Sequence, residues 1–222
     1  MQGVIQEFRE RVMEIEAYLD FIRSVDADET LLIKSPDQCP AYSSTQRQDL
    51  LKTFKASALL MLYNLMESSV TNAVEAIFDE LEKQSVSFDQ CREEIRLIVL
   101  GNIRQHQPEK LLSVITVLAT DIVTKTFRHE VVVSGNVDAR KIREVAKRYG
   151  FPSPQSRGDR LLTVKTTRND LAHGSKSFAE VGRSFTVQDI IDIKQDVVAY
   201  LTEMLEHVAD YLFEKNYAAG TV

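Results

Sequence analysis

The sequence predicts an all-α protein, an antiparallel helical bundle, and three observations carry that expectation. Apolar residues recur at spacings of three and four over long stretches, the signature of helices with one buried face. Gly (8) and Pro (5) are scarce among the 222 residues. Together they make up about 6% of the chain, roughly half the usual share, which leaves few turns for a sandwich or barrel of many short strands. From Gln46 to Lys83 neither residue occurs, so one long helix can run without a breaker. With 44% hydrophobic and 27% charged residues, the chain can bury a core and does not have the composition of a disordered protein. The longest apolar stretches, such as Leu111–Ala119, are too short to cross a bilayer.

The first helix spans about residues 3 to 23, where Ile5, Phe8, Val12, Ile15, Leu19 and Ile22 form one stripe. Residues 26–44 contain Pro36 and Pro40 and read as a connecting loop. Thr45 with Gln48 offers a capping box to a second helix, about 46 to 83, with Leu51, Phe54, Ala58, Met61, Leu65, Ile77 and Leu81 facing inward. A third helix covers about 90–104. Pro108 opens a fourth, with Leu111, Leu112, Ile115, Leu118 and Ile122 on its inner side.

After Phe127 the pattern changes. Glu130–Val133 is β-branched and precedes the turn signal Ser134-Gly135-Asn136, compatible with a short β-hairpin. Asp138 can cap a small helix over Ala139–Tyr149, which Gly150 ends and Pro152 keeps from continuing. A loop over Phe151–Gly158 leads to a helix over about 159–172, stopped at Gly174. Thr186 with Asp189 caps a last helix, about 187–215, whose inner face is Ile190, Ile193, Val197, Leu201, Leu205, Val208 and Leu212. No repeat or linker divides the chain. The expectation is a single helical domain over 1–222 with a small basic insertion at about 128–158.

Glu7, Glu10, Glu14 and Glu16 make the N-terminus unlike a signal or transit peptide. The cysteines, Cys39 and Cys91, have no metal-ligand spacing, which points to a reduced, cytoplasmic setting. The net charge is −6, yet from Asp138 to Arg168 nine basic residues face three acidic ones. Binding to phosphate follows local basic density rather than the total. The competing reading is a solvated basic face that pairs with the acidic remainder.

Two constellations carry chemistry. In Arg168-Asn169-Asp170-Leu171-Ala172-His173-Gly174, Asn169 and His173 lie four apart and share a helix face. Asp170 can pair with Arg168 or with Lys165. Imidazole moves protons near neutral pH, and guanidinium neutralises charge growing on phosphate oxygens. RNA brings its own nucleophile, the 2′-hydroxyl, so this pair can cleave it without a metal. A helix-terminal His capping carbonyls, beside an Arg paired with surface acids, is the structural alternative. In the second constellation, Asn64, Glu67 and Thr71 form a polar stripe in an otherwise apolar helix. It reads either as a buried hydrogen-bond network between helices or as support that holds Arg168 or His173 in place.

Long apolar helices, the Asn/Glu stripe and Arg-Asn-x-x-x-His-Gly ahead of a final long helix together resemble the HEPN superfamily. Leu62-Tyr63-Asn64-Leu65-Met66-Glu67, and Gly135 to Arg143 ahead of Tyr149-Gly150-Phe151, resemble its MAE-like branch. The resemblance covers about residues 45 to 215. It implies a HEPN-like bundle and a homodimer in which two motifs form one composite cleft. It also implies RNA cleavage without metal or other cofactor, leaving a cyclic phosphate, in a toxin or phage-defence effector with an antitoxin or defence-system partner protein. Arg168 and His173 would be catalytic, Asn169 the polar residue after the Arg, and Glu67 and Asn64 supporting. Some relatives carry a Tyr two residues past the His and are silenced by nucleotide addition there; this chain has Ser175. Arg140, Lys141, Arg143, Lys147, Arg148, Arg160 and Lys165 would then track an RNA backbone, unless the insertion serves dimerisation.

The other histidines carry less. His106 reads as a loop or cap residue, His129 as surface, and His207 as interior or interface. No phosphate-cradling Gly loop, metal-ligand set or nucleophile elbow occurs. The rival from another class is a non-catalytic module that binds RNA, a nucleotide or a partner protein.

Overall fold

The computed structural model describes residues 1–27, 43–104 and 136–219. Among them are seven α-helices: α1 (Gln2–Asp26), α2 (Ser44–Lys83), α3 (Glu93–Arg104), α4 (Ala139–Tyr149), α5 (Asp159–Ala172), α6 (Phe178–Arg183) and α7 (Val187–Phe213). A 3₁₀ turn at Phe88–Gln90 precedes α3. The described residues contain no strand, only an isolated antiparallel bridge between Cys91 and Ala218. The fold is an all-α, HEPN-like helical bundle.

The chain forms two compact units, and α2 and α7 each contribute to both. One comprises Gln6–Met66 and Arg157–Ala199. Its core takes Phe8, Ile15, Leu19, Ile22 and Val25 from α1, Ala58, Leu59 and Leu62 from α2, Leu161 and Val164 from α5, and Ile190, Ile193 and Val197 from α7. Each large apolar side chain removed from water stabilises by about 1.5–3 kcal/mol. Phe54 stands edge-on to Tyr18 and to Phe21, with centroids 6.5 and 5.6 Å apart. Lys194 Nζ meets Glu16 Oε1 at 2.7 Å. Gly182 on α6 marks a close approach to α2: a Cβ there would run into the Lys52 carbonyl.

The other unit comprises Met1–Ile5, Glu67–Ser156 and Tyr200–Val222. Val70, Val74, Ile77, Phe78 and Leu81 of α2 are buried there, with Ile95 and Val99 of α3 and Ile142, Val145 and Tyr149 of α4. Arg92 ties three segments. Its Nε and Nη2 donate to the Glu94 carboxylate at 2.7 and 2.9 Å, and its Nη1 donates to the carbonyls of Gly150 and Asn216 at 2.9 and 3.2 Å. The Tyr211 hydroxyl donates to the Tyr149 carbonyl at 2.8 Å, and burial pushes that phenol up. Burial likewise raises the Cys91 thiol to about 11, so this free cysteine is a packing residue. The loop after α4 is held to α7. The Glu203 carboxylate accepts from the Gln155 and Ser156 amides at 2.7 and 2.9 Å, and His207 Nδ1 lies 3.0 Å from the Pro152 carbonyl.

Local signals set most helix ends. Asp138 accepts from the Lys141 amide at 2.8 Å and Gly150 adopts φ +85°, so both ends of α4 are formed by the residues the sequence marked. Thr186 and Asp189 exchange the reciprocal hydrogen bonds of a capping box at the start of α7. Its expected inner face, from Ile190 to Leu212, is buried throughout. Three details differ from expectation. The box that starts α2 uses Ser43 and Gln46 rather than Thr45 and Gln48. The segment 178–183, to which the sequence pattern assigns no element, is helical, started by a Ser177/Glu180 box. Residues 88–90 form a separate turn ahead of α3. The loop with Pro36, Pro40 and Cys39, the helix expected from Pro108, the hairpin near Glu130–Val133, and His106 and His129 lie outside the described residues.

Candidate functional site

Helix α5 buries Leu161, Val164 and Thr167. Another side of it carries Leu162, Thr166, Asn169 and His173 at helical spacing, with Leu162 and His173 exposed. The helix ends in a Schellman arrangement. The Gly174 amide bonds the Leu171 carbonyl at 3.2 Å and the Ser175 amide bonds the Asp170 carbonyl at 2.8 Å. Gly174 adopts φ +68°, the left-handed conformation this motif requires. His173 is the C-cap residue, and its backbone amide still bonds the Asn169 carbonyl at 3.0 Å. Its imidazole therefore projects into solvent from a backbone fixed on both sides.

Arg168 sits half-buried one turn earlier. Its guanidinium carbon lies 4.5 Å from the centroid of the Tyr63 ring, within cation–π range. Its Nη1 donates to Asn169 Oδ1 at 3.0 Å. The pair Arg168 and Asn169, proposed from sequence as neighbours in a site, is thus joined directly. Tyr63 is the residue that sequence reasoning passed over. It lies inside the α2 stretch Leu62–Glu67, but its position fits an ordinary core aromatic, and it is buried.

Other expected residues stand differently. Asn64 is exposed on α2, not buried as part of an interior polar network, because Leu62, Tyr63, Leu65 and Met66 on either side of it occupy the inward-facing positions. Glu67 is half-buried one turn further on. Asp170 pairs neither with Arg168 nor with Lys165; its Oδ2 takes Lys176 Nζ at 2.7 Å, because the turn at Gly174 folds Lys176 back over the end of α5. Lys165 is half-buried on α5.

The basic face of α4 is as patterned. Arg140, Arg143, Lys147 and Arg148 are exposed, while Ile142, Val145 and Tyr149 anchor the opposite side. Glu144 attracts Arg140 at 3.7 Å and Lys141 at 3.8 Å, contacts too long and exposed to hold either cation firmly. Arg143 Nη1 lies 3.4 Å from the Tyr200 hydroxyl. Lys147 and Arg148, with Glu94, Glu144, Leu97 and Ile98, line a groove of about 380 Å³ between α3 and α4. Arg160 on α5 is engaged by Asp196 at 3.2 Å.

Among the described residues no group of three or more His, Cys, Asp or Glu is placed to hold a metal ion, and no helix is long and apolar enough to cross a membrane. The all-α bundle is that of a HEPN domain, a class generally composed of ribonucleases or nucleotide-related proteins. The family model described as MAE_28990-like HEPN matches residues 2–217, and the chain belongs to that family. No curated protein and no solved structure matches the chain.

Proposed function

We propose that this protein is a metal-independent endoribonuclease acting as a toxin or phage-defence effector in the cytoplasm. The observation that carries the reading is the end of α5. A guanidinium supported by a ring and an amide, and an exposed imidazole one turn away, project from a helix whose stop is fixed by Gly174. The RNA 2′-hydroxyl attacks the adjacent phosphorus; the new O–P bond forms as the bond to the 5′-oxygen breaks, leaving a 2′,3′-cyclic phosphate. His173 takes the 2′-hydroxyl proton as general base. The leaving 5′-oxygen takes a proton from a second imidazole, supplied by another copy of the chain in a homodimer. Arg168 neutralises the charge that builds on the phosphate oxygens.

Exposed Phe178 on α6 offers apolar surface near this helix end for such a dimer, and exposed Leu162 offers more on the same side of α5 near its start. Asn169 orients Arg168 and the phosphate, while Glu67, Asn64 and Asp170 act as supporting polar groups. The cations Arg140, Lys141, Arg143, Lys147, Arg148, Arg160 and Lys165 attract the RNA backbone, and an antitoxin or defence-system protein restrains the activity. The test is incubation with mixed RNA in EDTA followed by end-group analysis. The expected result is cyclic-phosphate ends from the unaltered protein, with His173→Ala and Arg168→Ala each slower by about 100-fold or more at unchanged helicity. Salt-sensitive RNA binding without cleavage would point to a binding module instead, and cleavage undiminished in either variant would refute the assigned roles.

A further inference from the structure

We propose that Tyr63 is a positioning residue for Arg168: the face of its ring forms the floor on which the guanidinium lies. This rests on the nuclease reading for its consequence, though not for its geometry. The observations are the 4.5 Å separation of guanidinium carbon and ring centroid, the Nη1–Asn169 Oδ1 bond of 3.0 Å, and the burial of Tyr63 to 1% of its surface. A ring so enclosed in α2 keeps one orientation, because neighbouring packed side chains leave it no alternative rotamer. The negative face of the ring attracts the cation, and the attraction strengthens where water is partly excluded, as it is around half-buried Arg168. Arg otherwise carries much rotamer freedom. Ring and amide together constrain it from two directions, the ring fixing the plane of the guanidinium and Asn169 fixing its rotation within that plane.

A cation that must meet charge as it develops is effective only if it is already in place. Tyr63 touches no reacting atom. It acts through Arg168, so its replacement lowers the rate of the chemical step more than the affinity for RNA. A packing role alone would make the effect follow side-chain shape. A positioning role makes it follow the electronic character of the ring.

The full-length protein is compared with Tyr63→Phe, Tyr63→Leu, and forms with 4-fluoro- and pentafluorophenylalanine at position 63. The fluorinated series preserves ring shape while draining negative charge from its face, so it stays informative even where Tyr63→Leu does not fold. Cleavage of a defined RNA in EDTA gives kcat and KM, and ¹⁵N spectra report the Arg168 Nε–H resonance, assigned from its loss in Arg168→Lys. Tyr63→Phe is expected to retain kcat within about 3-fold, whereas the pentafluoro ring lowers it by about 10-fold. KM is expected to change little across the series. The Arg168 resonance should carry a ring-current shift that survives in Tyr63→Phe and disappears in Tyr63→Leu. A kcat indifferent to fluorination, or a resonance indifferent to loss of the ring, overturns the proposal. If the unaltered protein cleaves no RNA, the nuclease reading falls, and the resonance alone decides whether Tyr63 holds the guanidinium.

Discussion

At Gly174 a single backbone angle sets how the chain leaves α5 after His173. With φ at +68° and nothing within 4 Å of where a Cβ would be, an added methyl group meets no steric obstacle beyond its own backbone. Gly174→Ala is therefore expected to cost about 1 kcal/mol, the ordinary penalty for a left-handed alanine, read as a lower urea midpoint with an unchanged slope. A neutral or stabilising result would mean that the helix does not end in the motif described. The sequence exposed this stop because glycine after a helical pattern is a local signal. Tyr63 was not legible in the same way. Its spacing fits the apolar face of α2, and only the tertiary approach of α5 makes its ring a support for Arg168. Asp170 shows the same limit, because its partner Lys176 returns through a turn that periodicity does not describe.

Elements were legible where caps and periodicity agreed. Helix α4 illustrates this, bounded by Asp138 and Gly150 with its apolar residues turned inward. Helix α6 was missed because six residues are too few to show a period, although Ser177 and Glu180 stood at capping-box spacing. The junction between α4 and α5 supplies a pH-sensitive feature. The Gln155 amide foremost, and then Ser156, hold the Glu203 carboxyl below the usual glutamate range. A depressed carboxylate contributes stability that is present above its unfolded value, about 4.3, and is lost as pH falls through the lower folded value. Hydrogen exchange at Gln155 and Ser156 should accelerate, relative to the intrinsic rate, upon such acidification. In Glu203→Gln these amides should be less protected at neutral pH and lose that response. Equal protection in both proteins at pH 7 would show that the carboxylate does not hold the loop.

On the scale of the whole molecule, charge is partitioned within the sequence rather than evenly spread. The stretch 138–168 is strongly basic inside a chain of net charge −6, and its helix α4 presents Arg140, Arg143 and Lys147 to solvent. If these cations meet RNA phosphates, reversing all three to Glu weakens binding and flattens the dependence of log K on log salt by about 0.7 per lost contact. Circular dichroism should remain unchanged, since the buried side of α4 is untouched. An unaltered salt slope would assign the basic face another purpose. The family and the helical class were legible from sequence because both rest on patterns distributed along most of the chain.

The backbone around His173 is clamped at both ends, by the Gly174 stop and by the Ser177/Glu180 box that begins the next helix only four residues on. Little slack remains between them. The imidazole can swivel about its own two torsions, but the peptide carrying it has scant freedom to travel. If the protein cleaves RNA as proposed, the polynucleotide must contort itself to reach in-line geometry, and cleavage should favour unpaired, pliable stretches over stiff duplex.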